Sequence, residues 1–87
     1  MRIRYTPQAQ ADLDQIFRYL DERSPAGARA VKTRIVRSIE RLADHPYIAA
    51  ETDEPGVREI AIVRYPYKVY CMIEDDEVWV VHIRHTS

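Results

Sequence analysis

Residues 56–87, GVREIAIVRYPYKVYCMIEDDEVWVVHIRHTS, decide the fold of this chain. They contain three short runs rich in Val, Ile, Tyr and Trp with turn-forming residues between them, a pattern typical of an antiparallel meander. We predict strands at about Val57–Val63, Tyr67–Ile73 and Val78–Arg84. The acidic link at residues 74–77 suits a hairpin turn, because Asp tolerates the backbone geometry that such a turn needs.

Two amphipathic helices precede the meander. Each starts with a hydroxyl residue followed by proline, Thr6-Pro7 and Ser24-Pro25, which favours an N-cap and a first helical residue. We predict the first helix from Pro7 to Glu22 or Arg23 and the second from Pro25 to Asp44. Apolar residues at helical spacing mark their inward faces: Ala9, Leu13, Ile16, Phe17 and Leu20, then Ala28, Val31, Ile35, Ile39 and Leu42.

Residues 2–5 alternate charged and apolar side chains, which predicts a short strand with Ile3 and Tyr5 on its buried face. The element order is then β-α-α-β-β-β, an α+β fold in which a helical hairpin packs on one face of a small, mainly antiparallel sheet. A chain of 87 residues suits one domain, 1–87, with a modest core. Residues 47–56 are predicted to be a connector with clustered acids and a closing Pro-Gly.

Two helices can cover only one face of the sheet, yet the last strands carry apolar residues on both faces. Strict alternation along the last strand would place Trp79, Val81 and Ile83 on one face. It would place Val78, Val80, His82 and Arg84 on the other. The face without helices is predicted to be a partly apolar surface edged by cations, which is typical of a partner-binding surface.

Composition limits the classes of function. The formal net charge is −1, so a nucleic acid or another acidic partner would have to meet a local basic patch. The single cysteine, Cys71, cannot form an internal disulfide and is predicted to be a buried structural thiol, which fits a reducing compartment. No apolar signal core or membrane-length run occurs, so we expect a cytoplasmic protein without a membrane partner. We expect no metal and no cofactor, because no Cys or His pair has zinc spacing and two glycines cannot make a phosphate loop.

Two groups of cations need an interpretation. Arg58, Lys68, Arg84 and His85 come from three neighbouring strands, and on one surface they could hold a phosphate and move a proton. The alternative is that they solvate the strand ends and pair with nearby acids. The outward side of the second helix carries Arg29, Lys32, Arg34, Arg37 and Arg41, which suits either phosphate contacts or an ordinary solvated helix face.

The order strand, helical hairpin and three-strand meander resembles the RelE/ParE superfamily of bacterial toxins. The resemblance lies in RIRYTPQAQADLDQIFRYL, ADHPYI, PGVREI, PYKVYCMIEDDEV and VHIRHTS, which together cover nearly the whole chain. It implies a cytoplasmic toxin of a type II toxin–antitoxin system, held inactive in a hetero-oligomer with its antitoxin. One branch, ParE-like, poisons DNA gyrase without being an enzyme, and the other, RelE-like, cleaves messenger RNA on the ribosome.

The residues favour the ParE-like branch. After Arg58 and Glu59 the first meander strand is too apolar for the basic catalytic row of the ribonucleases, and the segments HPY and GVREI are more similar to ParE. The alternative is a ribosome-dependent endoribonuclease. In that case Glu54, Lys68 and His85 would stand near the positions used by YoeB-like members, together with Arg58. However, Lys replaces Arg and lacks its bidentate grip on phosphate, and a terminal histidine–tyrosine pair does not match in register.

A third hypothesis is a degenerate, non-toxic member that only binds the antitoxin. Whether the chain continues past Ser87 also stays open, since its ending is abrupt for this family. For all three hypotheses, we expect partner contacts from the cations and rings of the meander: Arg58, Arg64, Tyr67, Lys68, Tyr70, His82, Arg84 and His85.

Overall fold

The computed structural model describes residues 1–86, in which two helices pack on one face of a five-stranded open sheet. Ser87 lies outside the described residues. This arrangement confirms the predicted α+β fold and element order. The elements are β1 Arg2–Tyr5, α1 Pro7–Arg23, α2 Pro25–Asp44, a 3₁₀ turn Pro46–Ile48, β2 Ala50–Glu51, β3 Arg58–Ala61, β4 Tyr67–Glu74 and β5 Glu77–His85.

The strand order across the sheet is β1-β5-β4-β3-β2. Strands β2 to β5 pair antiparallel, whereas β1 runs parallel to β5 and pairs only with its first half, from Arg2 opposite Glu77 to Tyr5 opposite Val80. The second half of β5 therefore has no strand on that side, and the start of α1 lies against it. Thr6 donates its backbone N–H to the carbonyl of Val80 and its hydroxyl to the carbonyl of Val81.

The helices begin where the sequence predicts. The hydroxyls of Thr6 and Ser24 accept the backbone N–H groups of Ala9 and Gly27 at 3.1 and 3.3 Å, and each cap is followed by proline. All five residues of the predicted inward stripe of α2 are buried. They pack with the inner residues of the sheet to form the core, whose fully buried strand residues include Val69, Cys71, Val78 and Val80.

A β-bulge in β5 changes which residues face the helices. Tyr70 pairs with His82 but the next residue, Cys71, pairs with Val80, so Val81 has no residue opposite it. The inserted residue reverses the alternation beyond it. Ile83 consequently lies in the core, 3% exposed. The strict alternation predicted for this strand was wrong from Val81 onward, because Ile83 shares the inner face with Val78 and Val80, while His82 shares the outer face with Trp79.

The connector also differs from the prediction. It contains the 3₁₀ turn and β2, whose two residues pair with Glu59 and Arg58. Strand β3 is shorter than predicted, because the chain turns after Ala61 and the N–H of Ile62 bonds to the carbonyl of Tyr67. Val63, predicted to be in the strand, is 61% exposed in this turn.

The β4–β5 hairpin offers a test of backbone strain. Asp75 and Asp76 both have positive φ, 50° and 61°, which costs free energy in any residue with a Cβ. We expect Asp76→Gly to raise the free energy of unfolding by about 0.5–1 kcal/mol, measured by urea denaturation. Asp53→Gly is the matched control, since Asp53 is not among the positive-φ residues, and it should lower stability. A less stable Asp76→Gly protein would contradict the strain argument.

Candidate partner-binding surface

The outer side of the sheet, away from the helices, presents three cross-strand pairs. Lys68 lies opposite Arg84, Tyr70 opposite His82, and Met72 opposite Trp79. Residues paired in register share a face, and β3 extends the same face with Glu59 and Ala61. We call this surface the open face, and define it by Glu59, Ala61, Lys68, Tyr70, Met72, Trp79, His82 and Arg84.

One end of the open face combines rings and charges. The rings of Tyr70 and His82 are stacked, with centroids 6.0 Å apart and an angle of 28° between their planes. Lys68 is 3.4 Å from the carboxylate of Glu59, and both side chains are partly exposed, so this ion pair is weak. Arg84 is exposed beside them. A partner with acidic and aromatic groups could bind here.

The other end of the open face is more apolar. Met72 and Trp79 are half-buried although no helix covers them. The guanidinium of Arg4 lies 6.0 Å from the centroid of the Trp79 ring, and its Nε donates to the Glu77 carboxylate at 2.7 Å. A partly exposed indole with a cation over its ring is a typical anchor for a partner's side chain.

Asp12 on α1 fixes the edge of the sheet beside the open face. Its carboxylate accepts the backbone N–H of Ile83 at 3.0 Å, contacts Nδ1 of His82 at 2.5 Å and accepts from the Gln8 amide at 2.7 Å. Burial raises the pKa of Asp12, but the hydrogen bonds from Ile83, Gln8 and His82 together lower it by more than burial raises it. The pKa of Asp12 therefore lies below its usual value. Asp12 thus holds His82 in place and replaces the strand that β5 lacks.

A cavity of about 470 Å³ opens at the same end of the sheet, on the helix side. Its lining includes Tyr67 and His85, whose rings meet edge to face with centroids 5.2 Å apart. Burial raises the pKa of the Tyr67 phenol, and nearby Tyr19 adds to this effect, so the phenol stays neutral near pH 7. His85 therefore contacts a neutral ring on the helix side of the sheet.

Arg58 is occupied by contacts within the connector. Its guanidinium donates to the carbonyl of Ala49 at 2.9 Å, lies 3.4 Å from the Glu51 carboxylate and covers the ring of Tyr47 at 4.9 Å. Glu54 lies near it and lines the same cleft of about 460 Å³. These contacts tie β3 to the 3₁₀ turn and β2, which is a structural role.

The structure does not bring the predicted phosphate-binding cations together. Lys68 and Arg84 lie on the open face, whereas Arg58 and His85 are paired with Cys71 and Tyr67 of the helix-facing side. Those two β4 positions are four residues, or about 13 Å, apart along the strand. The predicted partner contacts divide in the same way: Lys68, Tyr70, His82 and Arg84 on the open face, Tyr67 and His85 at the cavity, Arg58 at the connector and Arg64 in the β3–β4 link.

The sequence predicted no site role for Asp12 or Met72. Glu59 was considered only among the acids that could pair with the cations, and Lys68 does pair with it. Met72 could have been found, since Lys68, Tyr70 and Met72 recur at every second position of β4. The role of Asp12 depends on a contact 71 residues away in sequence, for which no local pattern exists.

Cys71 is fully buried, and burial raises the pKa of its thiol although Arg58 opposes this effect. A neutral, buried thiol of this kind has a structural role, as predicted.

Within residues 1–86, no group of three or more Cys, His, Asp or Glu is placed to hold a metal ion. None of the helices in that range combines the length and apolar character needed to cross a membrane.

Comparison with known proteins identifies the family. A family model described as "ParE toxin of type II toxin-antitoxin system, parDE" matches residues 3–87. A curated relative, named "Putative toxin Y4kP", from Sinorhizobium fredii (strain NBRC 101917 / NGR234), is 31% identical over 85 residues, which cover 97% of this chain and 88% of the relative.

Two solved structures share the fold. A chain of the chromosomal ParDE system from P. aeruginosa has a TM-score of 0.87 at 24% identity, with 100% of this chain and 97% of that one covered. A chain of the intact E. coli RelBE toxin–antitoxin complex has a TM-score of 0.61 at 13% identity, with 99% and 96% covered. With the family match over residues 3–87, the chain belongs to the ParE toxin family of type II toxin–antitoxin systems.

Proposed function

We propose that this protein is a toxin held inactive by a cognate antitoxin, and that the free toxin inhibits DNA gyrase in the cytoplasm and so blocks replication. Membership of the ParE family supports the general role. Inhibition by binding rather than by catalysis is supported chiefly by one observation, the separation of the cations that phosphate cleavage would need.

The open face supports an antitoxin partner. Tyr70, Met72, Trp79 and His82 form a continuous strip across β4 and β5, and no helix or strand of residues 1–86 covers it. Rings and a methionine edged by Lys68 and other cations match the composition of protein interfaces, in which apolar anchors lie inside a polar rim. An antitoxin segment with apolar and acidic side chains would complement this strip, giving a hetero-oligomer.

The geometry favours gyrase over messenger RNA as the target. A ribonuclease needs groups that grip the phosphate and a proton carrier within hydrogen-bond reach of one another. Lys68 faces outward on the open face, His85 contacts Tyr67 at the cavity, and Arg58 and Glu54 line the connector cleft. These four groups lie in three places, so they do not form one catalytic site.

Purified toxin should abolish supercoiling of relaxed plasmid by gyrase, or trap cleaved DNA, because the bound toxin would block the enzyme's cycle. Added antitoxin should restore activity, which controls for non-specific inhibition. Unchanged gyrase activity at saturating toxin would contradict the proposal.

Primer extension on translated message after induction tests the ribonuclease alternative: discrete cuts that disappear in His85→Ala would establish it. Normal growth on induction without antitoxin would instead show a non-toxic member.

A further inference from the structure

The outward side of α2 carries the largest set of uncompensated positive charges in the described chain. Arg29, Arg34, Arg37 and Arg41 are all exposed, on the side of the helix opposite its buried stripe. Within residues 1–86, none of these four guanidinium groups forms an ion pair, whereas Arg4, Lys32, Arg58 and Lys68 each have a carboxylate partner. We call these four arginines the α2 basic face.

The acids of α2 neutralise this face only in part. Asp44 is the last residue of the helix. Glu40 lies on the flank near Tyr5, since burial and then the charge of Glu40 raise the pKa of that phenol. Glu40 also lines a groove with Arg37, and Asp44 follows Arg41 by three residues, so these acids offset the charge at the end of the face. From Pro25 to Ile39, α2 contains no acidic residue. Although the whole chain carries a net charge of −1, α2 contains five basic and two acidic side chains.

The shape of the α2 basic face permits close approach of a ligand. A shallow groove of about 400 Å³ runs along it, with Ala26, Ala30 and Thr33 between the arginines and Tyr65 in its lining. Small side chains let a phosphate come near the helix backbone, while the longer arginines reach around it. Arg64, exposed and adjacent to Tyr65 in the β3–β4 link, adds a further positive charge to this side of the protein.

We propose that the α2 basic face binds the phosphodiester backbone of duplex DNA without sequence specificity. From Arg29 to Arg41 the helix extends about 18 Å, a length over which duplex DNA carries about ten phosphates. Arginine suits phosphate because its planar fork can donate two hydrogen bonds to one group. This inference goes beyond the proposed action on gyrase, because it requires no other protein.

Duplex DNA fits this surface better than the other acidic macromolecules. Single-stranded nucleic acid is normally held by aromatic rings on which bases stack, and the groove offers only the half-buried Tyr65. An acidic protein segment would require apolar anchors beside the charges, but the groove between the arginines is lined by alanine and threonine, and Val36 at its side is a single small apolar residue, 37% exposed. A regular array of phosphates needs only the repeated cations that the helix provides.

The test is fluorescence anisotropy of a labelled 30-base-pair duplex titrated with the full chain. We expect a Kd of about 1–100 μM at low salt, and a slope of log K against log salt of about −3 for three to four phosphate contacts. Arg34→Gln/Arg37→Gln should weaken binding at least about tenfold and make that slope shallower by about 2. The matched control, Arg18→Gln/Arg23→Gln, removes the same charge from α1 and should change Kd less than about twofold.

Both variants replace exposed residues by a good helix former, and the control gives up only the exposed contact of Arg23 with the Tyr19 ring at 3.9 Å, so both should melt close to the wild type. Equal weakening by the two variants, or no binding at 100 μM protein, would overturn the inference. Tighter binding to single-stranded RNA or to polyglutamate than to the duplex would overturn it too, since the face would then serve a different class of partner. Gyrase inhibition is measured separately, and its outcome does not affect this result.

Discussion

Replacing Asp12 by alanine is expected to lower the free energy of unfolding by about 2–3 kcal/mol, because a buried carboxylate that accepts several hydrogen bonds is lost. Asp12 is 9% exposed and accepts from Gln8 and from the backbone N–H of Ile83, while it also contacts His82. Alanine would leave the Ile83 N–H without an acceptor at an edge that no strand covers. Urea denaturation at neutral pH measures this loss, and a change below about 0.5 kcal/mol would contradict it.

The charge of Asp12 can be tested through pH. Its pKa in the folded protein is lowered, so its contribution to stability is present above the unfolded pKa of about 3.9 and is lost as the pH falls through the folded pKa. The stability difference between wild type and Asp12→Asn should thus shrink as the pH falls below about 5, through the unfolded pKa and then through the lower folded pKa. Asp14→Asn, on the exposed side of α1, should differ little from wild type throughout. If the stability difference between wild type and Asp12→Asn stays constant with pH, the charge of Asp12 does not contribute to stability.

Those parts of the fold that depend on neighbouring residues were predictable from the sequence. Helix bounds follow from local chemistry, since a hydroxyl cap, a proline and an apolar stripe all lie within a few residues. Thr6 and Ser24 therefore predicted both helix starts correctly, and His45-Pro46 predicted the end of α2. The hairpin at Asp75-Asp76 was predictable for the same reason.

Features set by distant contacts were not predictable. The bulge at Val81 leaves no trace in the sequence, because period-two alternation assumes that every residue has a partner across the ladder. Its consequence was large, since it placed Ile83 on the buried face with Val78 and Val80 rather than on the face of Trp79. Strand β2 has two residues, too few for a periodic pattern, and it exists because β3 offers an edge to it.

The candidate sites show the same limit. The chain supplied the right kinds of residue for a phosphate site, but the faces on which they lie depend on strand register. The pairings of Arg58 with Cys71 and of Lys68 with Ala61 place the two cations on opposite faces. The sequence correctly predicted that both residues lie in neighbouring strands, but it could not predict on which face of the sheet each side chain lies. Residues in neighbouring strands therefore need not lie on the same face of the sheet.

Tyr70→Ala is expected to weaken binding of the cognate antitoxin about 10- to 100-fold, since a central aromatic anchor of an interface contributes about 1.4–2.7 kcal/mol or more. Tyr70 lies in the middle of the open face, stacked on His82 and between Lys68 and Met72 along its strand. Its ring faces away from the core, so the substitution should affect binding more than folding. Calorimetric titration with purified antitoxin measures the affinity.

Tyr47→Ala provides the matched control, because it removes the same side chain from a 66% exposed site on the connector, where the ring contacts the Arg58 guanidinium. It should change the affinity for antitoxin less than about twofold if the open face is the binding surface. A normal affinity for Tyr70→Ala combined with a tenfold loss for Tyr47→Ala would place the antitoxin on the connector side. The open face would then be left for the toxin's target, because an uncovered strip of Tyr70, Met72 and Trp79 still needs a partner to remove it from water.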